Sequence, residues 1–66
     1  MDLTVNGEPK QLADETTVAG LLLELSLAER RVAVECNGAI VPKSQHAQQV
    51  LKNGDRIEIV HAIGGG

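Results

Sequence analysis

Residues 1–13 read MDLTVNGEPKQLA. The apolar residues of the first part alternate with polar ones, which is the pattern of a strand with one buried face. Asn6-Gly7 follows directly, and this dipeptide favours a two-residue hairpin turn because both residues tolerate positive φ. The stretch therefore predicts a hairpin with a second strand at residues 10–13, where Leu12 faces the core and Pro9 lies in the turn or on a sheet edge.

An amphipathic helix is predicted after this hairpin. Thr17 is a suitable N-cap because its hydroxyl can accept a hydrogen bond from a backbone N–H one turn later. Gly20 lies inside the helix, and we expect it to allow close packing of the helix on a sheet. The helix should end near Leu25 or Ser26. Its apolar residues recur with helical spacing on one face, at Val18, Leu21, Leu22 and Leu25.

The second half of the chain repeats the hairpin signal. A third strand alternates inward residues at Val32, Val34 and Cys36, and Asn37-Gly38 then predicts a second turn. A short fourth strand at Ile40-Val41 is ended by Pro42. The remaining expectations are an irregular helical turn within residues 43–49, a core residue at Leu51, a turn at Asn53-Gly54-Asp55, and a last strand over residues 56–62 with Ile57 and Ile59 inward.

Two hairpins around one helix close compactly only as a mixed sheet with the helix across one face. The last strand shields both hairpins if it lies between them, beside the first strand. We therefore predict an α+β fold of the β-grasp (ubiquitin-like) type, with about five strands and one main helix. Residues 1–63 should form this single domain, and residues 64–66 a flexible C-terminal glycine tail.

Composition excludes several classes of function. The chain has 66 residues, a net charge of −3 and no aromatic residue, so it lacks the stacking and basic surfaces of nucleic-acid binders. Cys36, His46 and His61 are too scattered to form a zinc site, and one cysteine cannot form an internal disulfide. No signal peptide or membrane-spanning run is apparent. We therefore expect a cytoplasmic protein that binds neither nucleic acid nor membrane.

The glycine run Gly64-Gly65-Gly66 is the candidate functional segment. A frayed end is the alternative, but a uniform string without side chains directly after the last core strand favours function. Glycines can thread a narrow channel and leave the terminal carboxylate unhindered. An ionised carboxylate is a poor electrophile, so activation calls for a leaving group such as AMP from ATP. The chain has no phosphate-cradling loop, so we expect it to bind no cofactor and a partner to bind the ATP. The product is a thiocarboxylate, or a thioester followed by an isopeptide bond.

The sequence resembles the ThiS family, the sulfur carrier proteins of thiamine biosynthesis, over essentially its full length. The resemblance is carried by features that are specific in their order, namely Thr17-Val18 before a Leu-rich helix, Asn37 with Ile40-Val41-Pro42, Leu51 with Gly54-Asp55, Ile57-Glu58-Ile59 and the glycine terminus. Gly65 and Gly66 correspond to the terminal pair of the family. Gly64 departs from it, because the family more often has another small residue there.

This resemblance implies that the chain is a carrier and not an enzyme. A ThiF-like adenylyltransferase would adenylate the carboxylate of Gly66. A sulfur-donating desulfurase system would then convert it to a thiocarboxylate. Thiazole synthase (ThiG-like) would receive the sulfur. The chain itself is expected to be a monomer when it is not bound to a partner.

Three alternatives remain open at this point. The small subunit of molybdopterin synthase shares the fold and a Gly-Gly end, although the spacing from Asn37 to Pro42 favours the thiamine carrier. A ubiquitin-like modifier would be found attached through Gly66 to target lysines. A plain interaction domain with an idle tail would keep its function after deletion of Gly65 and Gly66.

Other residues invite functional interpretations. Cys36 should face inward and behave as a small hydrophobic residue. His61 should lie on the inward phase of the last strand at the rim of the core, and His46 in a polar turn. Neither histidine has an apparent orienting partner for catalysis. A partner-docking patch is predicted on and after the last strand, at Glu58, Val60, Ala62 and Ile63.

Overall fold

The structure is a computed structural model and describes residues 1–61. These residues form five strands, one α-helix and one 3₁₀ turn, which are β1 (Asp2–Val5), β2 (Glu8–Gln11), α1 (Val18–Glu24), β3 (Val32–Cys36), β4 (Ala39–Val41), the 3₁₀ turn (Lys43–Gln45) and β5 (Arg56–His61). The strands make one sheet with the order β2-β1-β5-β3-β4. β5 runs parallel to β1 and antiparallel to β3. The predicted mixed sheet with the last strand at its centre is confirmed.

Both Asn-Gly dipeptides form hairpin turns, as predicted. The angle φ is 52° at Asn6 and 83° at Gly7, and it is 54° at Asn37 and 86° at Gly38. Positive φ at both central residues defines a type I′ turn, whose twist matches that of the flanking strands. Because such a turn has only two central residues, β2 begins at Glu8 and not at residue 10 as predicted.

The side chains of these two asparagines bind the backbone of β5. Asn6 Oδ1 accepts a hydrogen bond from the Ile59 N–H at 2.7 Å, and Asn6 Nδ2 donates to the Ile59 carbonyl at 3.2 Å. Asn37 Oδ1 accepts a hydrogen bond from the Arg56 N–H at 2.9 Å. The parallel ladder between β1 and β5 ends at Val5. The Asn6 side chain therefore continues this pairing beyond the end of β1.

The helix α1 begins as predicted. Thr17 Oγ1 accepts a hydrogen bond from the Gly20 N–H at 3.1 Å. The loop after the 3₁₀ turn satisfies further N–H groups of the first turn, since Val18 donates to the Gln49 carbonyl at 3.0 Å and Ala19 to the His46 carbonyl at 2.8 Å. The first N–H groups of a helix have no partner within the helix, so this loop completes the N-terminus of α1.

The role predicted for Gly20 is wrong. A Cβ atom at Gly20 would lie 3.2 Å from Thr16 Cγ2 and 3.5 Å from Thr17 Oγ1, and it would meet no sheet residue within 4 Å. The glycine therefore leaves room for the two threonines at the helix N-terminus, and it does not mediate packing of the helix on the sheet.

The core lies between α1 and the sheet and is entirely aliphatic apart from one cysteine. Leu51 fills it from the loop before β5, as predicted, and is 2% exposed. Pro9 lies in the edge strand β2, and Pro42 directly follows the edge strand β4. A missing backbone N–H is tolerated at both positions. The buried core residues are Leu3, Leu12, Val18, Leu21, Leu22, Val34, Cys36, Val41, Leu51, Ile57 and Ile59.

The Asn6 side chain gives a test of this arrangement. Asn6→Ala should lower the free energy of unfolding by about 2–3 kcal/mol, for two reasons. It removes the hydrogen bonds to Ile59. It also places alanine at positive φ, which a residue with a Cβ and no polar side chain adopts at a cost. Asn6→Gly removes the same hydrogen bonds but accepts the positive φ, and should cost about 1 kcal/mol less. Urea unfolding followed by circular dichroism measures both, since the chain has no aromatic fluorophore.

Ser44→Ala is a suitable control, because Ser44 is exposed in the 3₁₀ turn and its replacement should change stability by less than about 0.5 kcal/mol. Equal stability of Asn6→Ala and the unmodified protein would show that the side chain does not hold β5.

Candidate functional site

The sheet face opposite α1 carries a mixed acidic and apolar surface. Side chains alternate along a strand, so the residues between the core positions of β3, β4 and β5 point away from the helix. The register places Glu35 directly opposite Glu58, and Ala33 directly opposite Val60. Ile40 lies across from Glu35 on β4. We call these residues the outer face.

Two features of the outer face favour contact with a partner. Val60 is 60% exposed and Ile40 is 64% exposed, which leaves aliphatic surface in water. Glu35 and Glu58 are half-buried carboxylates at directly opposite positions, where like charges destabilise a sheet. A depression of about 190 Å³ lies beside them. A cationic side chain of a partner would relieve the repulsion, and its aliphatic part could pack on Val60.

Sequence reasoning found part of this face. Glu58 and Val60 were predicted from their phase on β5, and the structure places both there. Ala33, Glu35 and Ile40 were missed because their proximity to β5 depends on the register between strands. Ala62 and Ile63, the other members of the predicted docking patch, lie outside the described residues. The predicted tail residues Gly64, Gly65 and Gly66 also lie outside them.

The two histidines differ from their predicted environments. His61 was expected at the rim of the core but is exposed. By alternation along β5, its side chain points to the same side of the sheet as those of Ile57 and Ile59. Because His61 is nevertheless exposed, the end of β5 extends past the packed core. His46 was expected in a polar turn but is 8% exposed, and its Nε2 lies 3.0 Å from the Val41 carbonyl oxygen. The bond fixes the segment after the 3₁₀ turn against β4.

Cys36 faces the core, as predicted, and is buried. Burial raises the pKa of the Cys36 thiol above its ordinary value, and the nearby Asp55 carboxylate raises it further. Asn37 Nδ2 lies 3.6 Å from Sγ. Because the thiolate is the reactive form of cysteine, Cys36 is a poor nucleophile at neutral pH. Its position supports a structural role.

Within residues 1–61, no group of three or more His, Cys, Asp or Glu side chains could hold a metal ion. The same part of the chain contains no helix long and apolar enough to cross a membrane.

Comparison with known proteins identifies the family. The model of the ThiS family matches residues 3–66. The chain belongs to the ThiS family. A crystal structure of the thiamine biosynthesis protein ThiS from Geobacter metallireducens superimposes with a TM-score of 0.86, at 36% identity and with 100% of both chains covered. The resemblance noted in the sequence and the predicted β-grasp fold are both confirmed.

The relatives that match this chain are of two kinds, proteins of about its own length and much longer ones. The sulfur carrier protein ThiS of Escherichia coli is 35% identical over 66 residues, which cover 100% of each chain. The thiazole synthase of Paramagnetospirillum magneticum is 50% identical over the whole of this chain but only 20% of its own length. The chain therefore spans about a fifth of the length of that protein, as it does for the thiazole synthase of Magnetococcus marinus, which is 46% identical.

ThiS membership narrows the alternatives left open by the sequence. The relative from Escherichia coli is named a sulfur carrier protein, and thiamine biosynthesis is named for the structural relative from Geobacter metallireducens. Both names concern the thiamine pathway or its sulfur carrier, and neither mentions molybdopterin synthase.

The raised pKa of Cys36 predicts slow alkylation. The rate with iodoacetamide should rise at a higher pH than it does for glutathione, because less of the Cys36 thiol is ionised at any given pH. Asp55→Asn removes the charge that raises this pKa, so it should move the rate profile towards lower pH. The protein unfolded in urea should react like a solvent-exposed thiol. A folded protein whose profile coincides with that of glutathione would contradict this assignment.

Proposed function

We propose that this chain carries sulfur for formation of the thiazole moiety of thiamine, and that the carboxylate of Gly66 is the carrying group. The observation that supports this most directly is the match to the ThiS family, which extends through residue 66. The described residues support it indirectly, since β5 leads towards the tail and the one thiol, Cys36, is buried with a raised pKa.

The chemistry begins with activation by a ThiF-like adenylyltransferase that binds ATP. A carboxylate oxygen of Gly66 attacks the α-phosphorus, pyrophosphate leaves, and a mixed anhydride with AMP forms. A persulfide of the desulfurase system then attacks the carbonyl carbon and AMP leaves. Cleavage of the S–S bond by a second thiol of that system, which is oxidised to a disulfide, releases the thiocarboxylate. Each step uses groups of the partners and the terminal carboxylate, so no side chain of the carrier needs to react.

The glycines suit this chemistry because of their size. Without Cβ atoms, Gly64, Gly65 and Gly66 can enter a narrow channel and adopt backbone angles closed to other residues. Ordering such a segment costs conformational entropy. The folded part of the carrier must therefore supply most of the binding free energy.

The outer face is the surface that we assign to this docking. Its aliphatic residues Val60 and Ile40 are exposed, and its carboxylates Glu35 and Glu58 suit a basic partner surface. β5 carries Glu58 and Val60 of the outer face and ends at His61, five residues before Gly66. A partner bound to Val60 would therefore hold the start of the tail close to its own active site.

A thiazole synthase is the proposed recipient of the sulfur. Two proteins of that name contain a segment 50% and 46% identical to this chain. A carrier segment within the same polypeptide as a synthase raises its effective concentration at the sulfur acceptor. This supports the same pairing for the present chain when the two proteins are separate.

Intact mass spectrometry tests the carrying group. Protein from cells that produce the adenylating partner should show a single exchange of oxygen for sulfur, and fragmentation should place it at Gly66. Deletion of Gly66, or addition of a residue after it, should abolish the exchange while the circular dichroism spectrum is retained.

Cys36→Ser is the matched control and should be loaded with sulfur like the unmodified protein. Loading that persists without Gly66, or that disappears in a folded Cys36→Ser variant, would refute the proposal. Gly66 found on lysines of other proteins would instead identify a modifier.

Val60 gives a test of the docking surface. Val60→Asp should raise the KM for the carrier in the adenylation reaction about tenfold, with a smaller change in kcat, because it places a charge in an apolar contact. Leu23→Asp is the matched control, since Leu23 is 70% exposed but lies on α1. Equal effects of the two substitutions would show that the outer face is not the contact.

Growth of auxotrophs tests the pathway. The gene should restore growth of a thiamine auxotroph that lacks its carrier, and the variant without Gly66 should not. Rescue of a molybdenum-cofactor mutant but not of the thiamine auxotroph would assign the carrier to the other pathway.

A further inference from the structure

All three asparagines of the chain are followed by glycine, at Asn6-Gly7, Asn37-Gly38 and Asn53-Gly54. The pairing that favours a tight turn also favours a reaction of the asparagine side chain, because glycine has no Cβ to keep its nitrogen away from a neighbouring group. All three asparagines are exposed to water. Neither the next residue nor access of water distinguishes them, so a difference in reactivity must come from the fold.

The reaction is deamidation through a cyclic imide. The backbone nitrogen of the glycine gives up its proton to solvent and bonds to Cγ of the asparagine. The bond from Cγ to Nδ2 breaks, and Nδ2 takes up protons and leaves as ammonia. Water then opens the ring at either carbonyl and gives aspartate or isoaspartate, in which the main chain runs through Cβ. One water is consumed and one ammonia is released, so the reaction needs no other reagent.

The turns at these dipeptides must open before the ring can close. Asn6-Gly7 and Asn37-Gly38 form type I′ turns. At Asn53-Gly54 the Asp55 N–H donates to the Lys52 carbonyl at 3.1 Å and φ is 87° at Gly54, which is the pattern of a type II turn. In both turn types the glycine nitrogen lies on the side of the asparagine carbonyl carbon away from Cβ. The rate at each site therefore depends on the contacts that must break when the turn opens.

The contacts of Asn6 and Asn37 are with the central strand. The Asn6 N–H donates to the Ile57 carbonyl at 2.8 Å, and its side chain makes the two hydrogen bonds to Ile59 described above. The Asn37 N–H donates to the Arg56 carbonyl at 2.8 Å, and its Oδ1 accepts from the Arg56 N–H. Each turn also joins two paired strands. Opening either turn therefore separates a hairpin from β5.

The contacts of Asn53-Gly54 are with Asp2. The Asp2 N–H donates to Asn53 Oδ1 at 2.7 Å, and the Gly54 N–H donates to the Asp2 carbonyl at 2.7 Å. Asp2 is exposed and is the first residue of β1. Exposed hydrogen bonds at the end of a strand open at a lower free energy than those in the centre of a sheet. Opening at Asp2 frees the Asn53 side chain and the Gly54 nitrogen together, and it leaves both hairpins on β5.

We propose that Asn53 is the site of deamidation in the folded protein, and that the fold protects Asn6 and Asn37. Opening of the contacts with Asp2 controls the rate. Isoaspartate at this position lengthens the main chain by one carbon shortly before β5, and either product adds one negative charge to the net charge of −3. The reaction does not involve Gly66, so this proposal and the proposed function can fail independently.

Peptide mapping of the whole chain tests the site. The folded protein is incubated at mildly alkaline pH, where the glycine nitrogen loses its proton more readily, and is then cleaved after lysine and arginine. This cleavage places the three asparagines in separate peptides, residues 1–10, 32–43 and 53–56. Mass spectrometry should find deamidation of the last peptide at least about tenfold faster than that of the other two. In urea the three rates should agree within about threefold, because each asparagine is followed by glycine.

Gln11 supplies the matched variant. Its Nε2 donates to Asp2 Oδ1 at 2.9 Å and so helps to hold Asp2 in place. Gln11→Ala should speed deamidation of Asn53 about threefold, because that hydrogen bond is lost, and it should leave the other two asparagines unchanged. Gln48→Ala is the control, at an exposed glutamine after the 3₁₀ turn, and should change none of the three rates. Circular dichroism checks that both variants are folded.

Several results would overturn the proposal. One is deamidation of Asn6 or Asn37 in the folded protein at a rate equal to or above that of Asn53. Another is an intact Asn53 after a time that converts the sample in urea completely, which would show that the fold protects all three sites. Equal effects of Gln11→Ala and Gln48→Ala would show that Asp2 does not control the rate. The same order of rates in urea as in the folded protein would show that the sequence, and not the fold, selects the site.

Discussion

The position of β5 between the two hairpins is the constraint on which the rest of the structure depends. β5 pairs with β1 of the first hairpin on one side and with β3 of the second hairpin on the other. Without β5, the two hairpins would not belong to one sheet. Ile57 and Ile59 on its inner side are buried under α1. The ladder to β1 is short, and Asn6 extends it by two hydrogen bonds to Ile59. The Asn6 side chain therefore makes hydrogen bonds to β5 that the backbone of a further β1 residue would otherwise make.

The features that sequence predicted correctly are those determined by local chemistry. The Asn-Gly turns follow from positive φ, and the start of α1 follows from the Thr17 hydroxyl. The order of strands followed from the need to bury both hairpins. The Asn6 bond to Ile59 was not predictable in this way, because the two residues are 53 positions apart. Gly20 was misjudged because its close neighbours are cap residues and not the sheet.

For the candidate surfaces too, the residues that could be predicted are those that depend on local pattern alone. Glu58 and Val60 could be predicted from alternation along one strand, whereas Glu35 and Ala33 join them only through the register of β3 with β5. Lys43 lines the same depression as Arg30 and Arg31 although it comes from a different part of the chain, and no spacing in the sequence indicates this. The role of Gly66 stays a prediction, made from the chemistry of a glycine terminus and from the family resemblance; the ThiS match confirms the resemblance.

The parallel pairing of β1 with β5 also governs when the protein can fold. Thr4 pairs with Arg56 and Val5 with Ile57, so the centre of the sheet joins residues from opposite ends of the chain. Contacts between distant residues must repay the entropy of closing a long loop, and they slow folding. During synthesis on the ribosome, both hairpins and the helix emerge before the strand that unites them. A molecule that has formed its outer face has therefore already made β5, the last strand before the glycines in the sequence.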